Sequence, residues 1–567
     1  MAPEDSQSEA RHWSDRARTL RWEGRLDEAC QAARTAIEIA PELPDGWFNL
    51  GAVRIELGET ADGLKAYRQA LELNPNFAEA WSNLGEVLVA QGDRRGGIEA
   101  YRRGIAANPA LAPIWSNLGG ALLEDNQIAE AVSACRRAVE LSPDFATGWS
   151  NLGSALKESG QHEEAVAACE RALALAPDLA NAWSNLGGAL LESGESERAL
   201  AAHRRALELA PQDARVHYNL GIAEERRLDC PAAIDSYRRA VALDSTLAAA
   251  HLRLACVLLM TGAFSEGWTE YEWRWSDRAA VSRRYDFTSW AGEFVPGRRL
   301  LLWGEQGIGD EILHASQVEE IARAGLNVTL EVDPRLVGLM QRSIAGIRVV
   351  PRREQPAIDV AAFDCQSPLA SLGRWLRPSF HAFPSRRGYL KADAGRVESF
   401  ISRLRAGSND RVIGVSWSSS NAEFGQHKTT QLTEWAGMLR SAGAKFIDLQ
   451  YGDTAEQRSK LRDRLGIDIG HLDDLDLHND LEGLAALCAA CDLVITVSNV
   501  TAHVAGALGV PVWLLAPKGN GGLWCWFKDR QDSPWYPSMR IFRQQIPGVW
   551  RDVFEQVERE FAGFAAR

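Results

Sequence analysis

The sequence predicts an α-helical solenoid followed by an α/β part built of two Rossmann-like lobes. Three observations predict it: a fixed 34-residue period over the first half, the loss of that period after residues 264–275, and short apolar runs alternating with helical stretches beyond. A chain of 567 residues has room for three to four domains of about 150 residues each. Its 62 Lys+Arg against 76 Asp+Glu give a net charge of −14, which argues against a general nucleic-acid binder, since that needs a basic surface to replace phosphate counterions. No apolar run approaches the length of a membrane-spanning helix, and MAPEDSQSEARHWSD has neither a basic nor an apolar leader segment. Nine scattered cysteines do not form a disulfide framework. The expectation is a cytoplasmic protein without membrane insertion.

The helical half is read from its period. Trp13, Trp47, Trp81, Trp115, Trp149 and Trp183 are 34 residues apart, and His217 and His251 continue the phase. Pro41, Pro75, Pro109, Pro143, Pro177 and Pro211 keep the same step, with Ser245 where the next proline is due. WSNLG recurs at 81–85, 115–119, 149–153 and 183–187. Trp, Leu and Gly fall on one stripe of a first helix, expected to be buried. Small residues such as Ala131, Ala165 and Ala199 let a second helix approach, and each proline ends it. This pattern resembles the tetratricopeptide repeat. It implies about eight repeats over residues 10–280, after a tail at 1–9, stacked into a superhelix with a groove and a core separate from that of the second half.

One polar phase stands out. Asn49, Asn83, Asn117, Asn151, Asn185 and Asn219 each lie two residues after the Trp position, roughly 200° around the helix. A carboxamide both donates and accepts, so such a series can hold the backbone of an extended acceptor chain. It is similar to the asparagine ladder of eukaryotic O-GlcNAc transferases. A solvated polar face, or residues carried along by duplication, explains the same pattern. Cys135 and Cys169 share one repeat phase and read as small core residues.

Residues 281–296 read as a linker, 297–408 as a first lobe and 409–567 as a second. Strands are expected at 298–304, 327–332 and 347–351, then at 411–417, 445–450, 493–498, 510–516 and 539–544. In such folds ligands sit beyond the carboxyl ends of the strands. The turn GEQGIGDE at 304–311 is neither G-x-G-x-x-G nor a P-loop, so dinucleotide binding and ATP hydrolysis are not supported. Cys488 and Cys491 form a lone CxxC, a poor metal or redox site.

EQGIGDEIL at 305–313, the His427–Lys428 pair, VSNVTAHVAGALGVPVWLLAP at 497–517 and DSPWYPSMRIFRQ at 532–544 resemble bacterial repeat-fused glycosyltransferases. Their catalytic half is heptosyltransferase-like and of GT-B fold. The arrangement resembles alphaproteobacterial flagellin glycosyltransferases and, in plan, O-GlcNAc transferase. The resemblance implies transfer of a sugar from a nucleotide-sugar co-substrate to Ser/Thr hydroxyls of a protein acceptor, flagellin, recruited by the repeats. It implies no cofactor and no metal.

Carried over residue by residue, the resemblance makes Asp310 the base for the acceptor hydroxyl and Lys428 the contact to the donor phosphates. Gly307 and Gly309 allow close approach to the donor. Ser498, Asn499, Thr501 and His503 stand at the amino end of the helix that would receive the diphosphate; the family's acidic residue is replaced by Ser498. The local chemistry is consistent, because a helix amino end offers unpaired N–H groups to an anion. Each residue also has an ordinary reading: Asp310 as a helix cap, His503 as a core histidine, Lys428 as a surface lysine. His314 and His427 are lesser base candidates. Trp524, Trp526 and Trp535 could stack on a base or sugar, or pack between lobes. The acidic run at 473–476 is the nearest approach to a metal pair and reads as a capping cluster. The alternatives for the whole chain are an adaptor with a non-catalytic second half, or a glycan- or lipid-directed glycosyltransferase.

Overall fold

The computed structural model describes residues 3–276, 285–353, 358–407, 410–420, 425–441, 443–519 and 522–565. The chain divides into two compact units, Met1–Ala223 and Glu224–Arg567. Among the described residues, eight helix pairs run from Pro3–Trp22 with Leu26–Ile39 to Ala248–Thr261 with Phe264–Tyr271. The first helix begins at Pro3, so residues 3–9 of the expected tail are helical, and residues 1 and 2 of it lie outside the described residues.

The 34-residue phase has a hydrogen-bond explanation. Trp47, Trp81, Trp115, Trp149 and Trp183 each donate Nε1–H to the carbonyl of the proline six residues earlier, at 2.8–3.0 Å. His217 and His251 place Nε2 3.1 and 3.2 Å from the carbonyls of Pro211 and Ser245. An imidazole replaces the indole because it too carries a ring nitrogen at that reach, and a serine replaces the proline because only its carbonyl is used. The tryptophans are half-buried, not core residues as expected. The deeper stripe is Leu84, Leu118, Leu152 and Leu186 with the adjoining glycines. A Cβ at Gly85 would come within 2.8 Å of the Tyr101 ring, and one at Gly119 or Gly153 would strike Cys135 or Cys169. The tyrosine, cysteine and glycine phases are therefore one steric fit between the two helices of a repeat.

A second phase runs through the turns of the repeats. The turn inside each pair needs a left-handed residue, supplied by Gly24, Gly58, Gly92, Gly160, Gly194 and Gly262. Asn126 and Leu228 take the same position with φ of 60° and 63°. Asparagine tolerates that conformation; leucine is strained there by roughly 1–2 kcal/mol.

The second unit contains two parallel sheets with helices. β1 (Arg299–Trp303), β2 (Asn327–Val332), β3 (Arg348–Pro351) and β4 (Cys365–Pro368) lie in the order β3-β2-β1-β4. β5 (Arg411–Ser416), β6 (Ala444–Asp448), β7 (Leu493–Val497), β8 (Val512–Ala516) and β9 (Met539–Arg543) lie in the order β6-β5-β7-β8-β9. All neighbours pair in parallel. β4 was not expected: CQSP is short, polar and ends in proline. The strand order reverses direction between β1 and β4 and again between β5 and β7. In folds of this kind such a reversal splays the loops at the carboxyl ends of the strands, which is where ligands bind.

The repeat-to-lobe boundary expected at 280 is corrected. Ala255, Leu259, Phe264, Trp268 and Tyr271 of the last helix pair share one hydrophobic core with residues of both lobes. Trp268 is 1% exposed and donates Nε1–H to the Arg377 carbonyl at 2.9 Å. Lys528 of the second lobe donates Nζ–H to the Leu228 carbonyl at 2.6 Å. The expected linker at 281–296 is likewise part of the packing: Tyr285 and Trp290 are buried, and the Trp290 N–H donates to the Gln366 carbonyl of β4. Residues 281–284 of that linker lie outside the described residues.

Candidate functional site

The loop after β1 leads through Gly304–Gly307 into the helix Ile308–Ala315, at the reversal of the first sheet. The loops after β5 and β7 carry Lys428 and the start of the helix Val500–Leu508, at the reversal of the second. The two helices meet near their amino ends. A Cβ on Gly309 would lie 3.0 Å from His503 Cδ2, so glycine there sets the approach. The structure thus brings Asp310, Gly309, Lys428 and His503 together from segments up to two hundred residues apart in sequence.

Asp310 is the third residue of its helix and not the cap. Its carboxylate accepts from the Gly307 N–H, while burial holds its pKa up at about 6 against that bond and the Lys428 ammonium. Lys428 is 4% exposed, and burial lowers its pKa against the attraction of neighbours that include Asp310. It is therefore not a surface lysine. His503 places Nδ1 3.0 Å from the Tyr536 hydroxyl and packs on Trp526, with ring centroids 5.0 Å apart. Burial, reinforced by Lys428, pushes its pKa down to about 3, so the ring is neutral at physiological pH.

Three of the expected donor contacts serve the scaffold. Thr501 is fully buried, with its hydroxyl 3.4 Å from the Leu449 carbonyl, so it does not face the cleft. Asn499 caps the Val500–Leu508 helix and donates Nδ2–H to Ser416 Oγ at 2.8 Å and the Ser418 carbonyl at 3.0 Å. It ties the loop after β5 to the loop after β7. Ser498 accepts from Trp526 Nε1 at 2.8 Å and is 1% exposed. Gly307 is exposed in the turn before the helix, and His427 is half-buried.

Sequence reasoning missed a group of acids and their partners around this turn. Glu305, Gln306, Asp310, Glu311 and His314 line one narrow cavity with Leu369 and Ala370. Burial raises Glu305 and Glu311 to about 7, despite Arg274 on the first and Arg352 on the second. Tyr271 and Arg274, which follow from the last repeat, reach Gln306 and Glu305 at 2.9 and 3.1 Å. The paired Glu at 305 and 311 was the available signal. The Asp474–Arg403 ion pair and the backbone bonds onto Asp476 make 473–476 a surface capping cluster, as read. Cys488 and Cys491 are buried thiols pushed upward by burial.

The asparagines occupy the repeat unit. Asn49, Asn151, Asn185 and Asn219 each donate Nδ2–H to a serine hydroxyl one repeat earlier: Ser14, Ser116, Ser150 and Ser184, at 2.7–3.0 Å. Asn83 has Phe48 at the position where the others have that serine, and it donates to Tyr67 Oη at 3.3 Å. Asn117 is half-buried and makes no side-chain hydrogen bond among the described residues. Asn49 is only 6% exposed, which removes it as an acceptor contact. The series is first a set of repeat-to-repeat bonds, and an acceptor could use only what the half-buried amides leave free.

Tetratricopeptide-repeat models match residues 53–92, 84–146, 144–212 and 178–246. The first half of the chain is a tetratricopeptide-repeat solenoid. Protein FlbA of Caulobacter vibrioides is 33% identical over 340 residues, which is 56% of this chain and 56% of that protein. The match thus spans about half the length of the relative. Among solved structures, the Cut9–Hcn1 hetero-tetramer of APC/C is similar at 18% identity and TM-score 0.39, covering 43% of this chain and 48% of that one. A tetratricopeptide-repeat protein from Parabacteroides merdae is similar at 13% identity and TM-score 0.38, covering 44% and 99%. YrrB, described as a repeat protein with an unusual peptide-binding site, is similar at 24% identity and TM-score 0.28, covering 32% and 94%. No helix among the described residues is long and apolar enough to cross a membrane.

Proposed function

We propose that the second unit is a GT-B glycosyltransferase that moves a sugar from a nucleotide-sugar donor to a Ser/Thr hydroxyl of a protein acceptor, flagellin, held by the repeats. The observation that carries this reading is the meeting of Asp310, Lys428 and His503 at the strand-order reversals of two parallel sheets. Asp310, with a pKa of about 6, is ionised at neutral pH yet basic enough to take a proton. In the reaction it removes the acceptor hydroxyl proton as the oxygen bonds to the anomeric carbon. The bond from that carbon to the phosphate oxygen breaks, and the nucleotide leaves with the electron pair. Lys428 and the amino end of the Val500–Leu508 helix offset the charge that grows on the leaving phosphate. His503, neutral and fixed by Tyr536, can donate a hydrogen bond without adding charge. The scheme requires no metal.

The repeats support the acceptor part, because stacked repeats of this class present extended surfaces to other proteins. The reading is tested with the full chain. A thermal-shift screen over UDP-, CMP-, GDP- and ADP-sugars should reveal one donor, with about 2.7 kcal/mol of stabilisation at a hundredfold excess over Kd. Intact-mass analysis of co-expressed flagellin should then show added sugar. Donor binding with unmodified acceptor would favour the adaptor alternative; no nucleotide binding at all would overturn the reading.

A further inference from the structure

The segment in which the repeat period ends, FSEGWTEYEWRW at 264–275, carries a cation to the turn before Asp310. Arg274 lies in the helical turn Glu272–Trp275 that follows the last helix pair, with its side chain only 8% exposed. Its Nη2 donates to Glu305 Oε1 at 3.1 Å and to Ser371 Oγ at 2.7 Å. Glu305 belongs to the loop after β1 and Ser371 to the loop after β4, the two strands between which the order of the first sheet reverses. One nitrogen therefore spans the reversal. Two further bonds close the bridge: the Ala370 N–H donates to Glu305 Oε1 at 3.2 Å, and Ser371 Oγ donates to Glu272 Oε1 at 2.7 Å. Nη1 donates to the Tyr271 carbonyl and to Glu272 Oε1 at 3.0 and 2.8 Å, and the guanidinium packs on the Tyr271 and Trp275 rings, 4.8 and 4.5 Å from their centroids. Tyr271 Oη in turn accepts from Gln306 Nε2, on the next residue of the loop after β1, at 2.9 Å.

The loop held in this way leads directly to Gly307, whose N–H binds the Asp310 carboxylate. A buried guanidinium carries a desolvation penalty that apolar residues of the same size avoid. What its planar fork adds is geometry, because donors in fixed directions hold several acceptors at set distances. We propose that Arg274 is a positioning residue of this site: through Glu305 and Ser371 it locks the loops after β1 and β4 together and so fixes the turn that aims Asp310. The inference rests on the glycosyltransferase reading for the reaction that Asp310 serves. It gives the segment at the end of the repeats a share in the catalytic geometry.

The test uses the full chain. Purified flagellin is offered with UDP-N-acetylglucosamine, CMP-N-acetylneuraminate, GDP-mannose or ADP-glucose, and kinetics follow the donor that is transferred. Arg274→Met keeps the apolar stem and lacks the fork; it should lower kcat about 10–100-fold, as misplaced reacting groups do, with KM and the Kd of the bare nucleotide unchanged. Arg274→Lys, which keeps the charge without the fork, should recover part of the loss. Arg274→Met combined with Glu305→Gln should be no slower than the slower of the two single variants, since both changes break one linkage. Hydrogen exchange should quicken in residues 304–315 of Arg274→Met and stay as in wild type in residues 3–223. Melting temperature and circular dichroism check the fold; if Arg274→Met unfolds, Arg274→Lys and Tyr271→Phe carry the comparison. An unchanged kcat, a loss confined to KM or nucleotide affinity, or independent effects of the Arg274 and Glu305 changes overturns the role of Arg274 and leaves the function standing. If wild type transfers none of the four sugars, the glycosyltransferase reading falls, and the exchange of residues 304–315 decides the lock by itself: quicker exchange upholds it and unchanged exchange overturns it.

Discussion

The repeat unit and the cleft treat buried polar groups in opposite ways. In the repeats a buried polar atom finds its partner in the neighbouring copy of the same sequence: Asn151 on Ser116, Asn185 on Ser150, Asn219 on Ser184. In the cleft, Asp310 and Lys428 are desolvated, raised or lowered in pKa, and only partly partnered. Repetition satisfies polar groups in series, because a bond that fits one pair of repeats can be made again 34 residues later, as it is at Asn151, Asn185 and Asn219. The cleft is assembled once, from distant segments, and what it leaves unsatisfied is what a ligand can use.

The contrast breaks first at Asp310. Asp310→Asn should lower transfer by about 10²–10⁴-fold while nucleotide affinity holds. Wild-type transfer should rise with pH through about 6 and level off above, since the carboxyl must lose its proton to act. The same raised pKa means that ionising Asp310 costs stability as pH climbs from its unfolded value through about 6. The variant should therefore melt no lower than wild type at pH 8; a marked drop with transfer intact would make Asp310 a helix-end brace only.

Trp268→Ala asks whether the last repeat belongs to the cleft. Removing a buried indole that also holds the Arg377 carbonyl should cost roughly 3–5 kcal/mol. Hydrogen exchange should report the loss in residues 224–567 and spare 1–223. Loss confined to the repeats would restore a boundary near 280.

The amide series comes next. Replacing Asn83, Asn117, Asn151 and Asn185 together by Ala should lower the stability of the repeat unit by about 1 kcal/mol for each bond removed, seen as reduced thermal or urea resistance. Acceptor capture by the folded variant then measures the remaining share of the amides in binding. Unchanged stability would contradict the Asn–Ser bonds; unchanged capture would place acceptor recognition elsewhere.

Lys428→Ala should weaken nucleotide binding about 10–100-fold by calorimetry, the worth of a charge-assisted bond, and slow transfer with it. Smallest is the exception within the repeats. His203 fills the Tyr101 and Cys135 phase against Gly187, with both ring nitrogens buried and unpartnered and its pKa lowered to about 4 by burial. His203→Cys should stabilise the repeat unit by about 1 kcal/mol in urea titration, because it removes two unsatisfied nitrogens. If it destabilises, His203 has a partner of its own and the contrast narrows.

Much of the fold was legible because it is local or periodic. The 34-residue step fixes helix pairs through contacts between near neighbours, and eight of the nine strands are apolar runs. β4 was hidden because CQSP becomes a strand only by pairing with β1. Of the site, Asp310, Lys428 and His503 were nameable from motifs, but their roles were not: a motif gives an identity and a spacing, not a solvent environment. Thr501 reads as a phosphate donor in sequence and is turned to the Leu449 carbonyl in the fold.

By itself the sequence determined the repeat length, the succession of helices and of every strand but β4, and the residue types offered to the cleft, since these follow from periodicity and local propensity. Only the tertiary structure decided that the indoles bind proline carbonyls, that the asparagines link repeats, that the last helix pair shares a core with both lobes, and that Arg274 bridges the loops after β1 and β4. Those outcomes depend on which groups meet across long sequence separations, where burial and partner geometry set the energy of every polar atom.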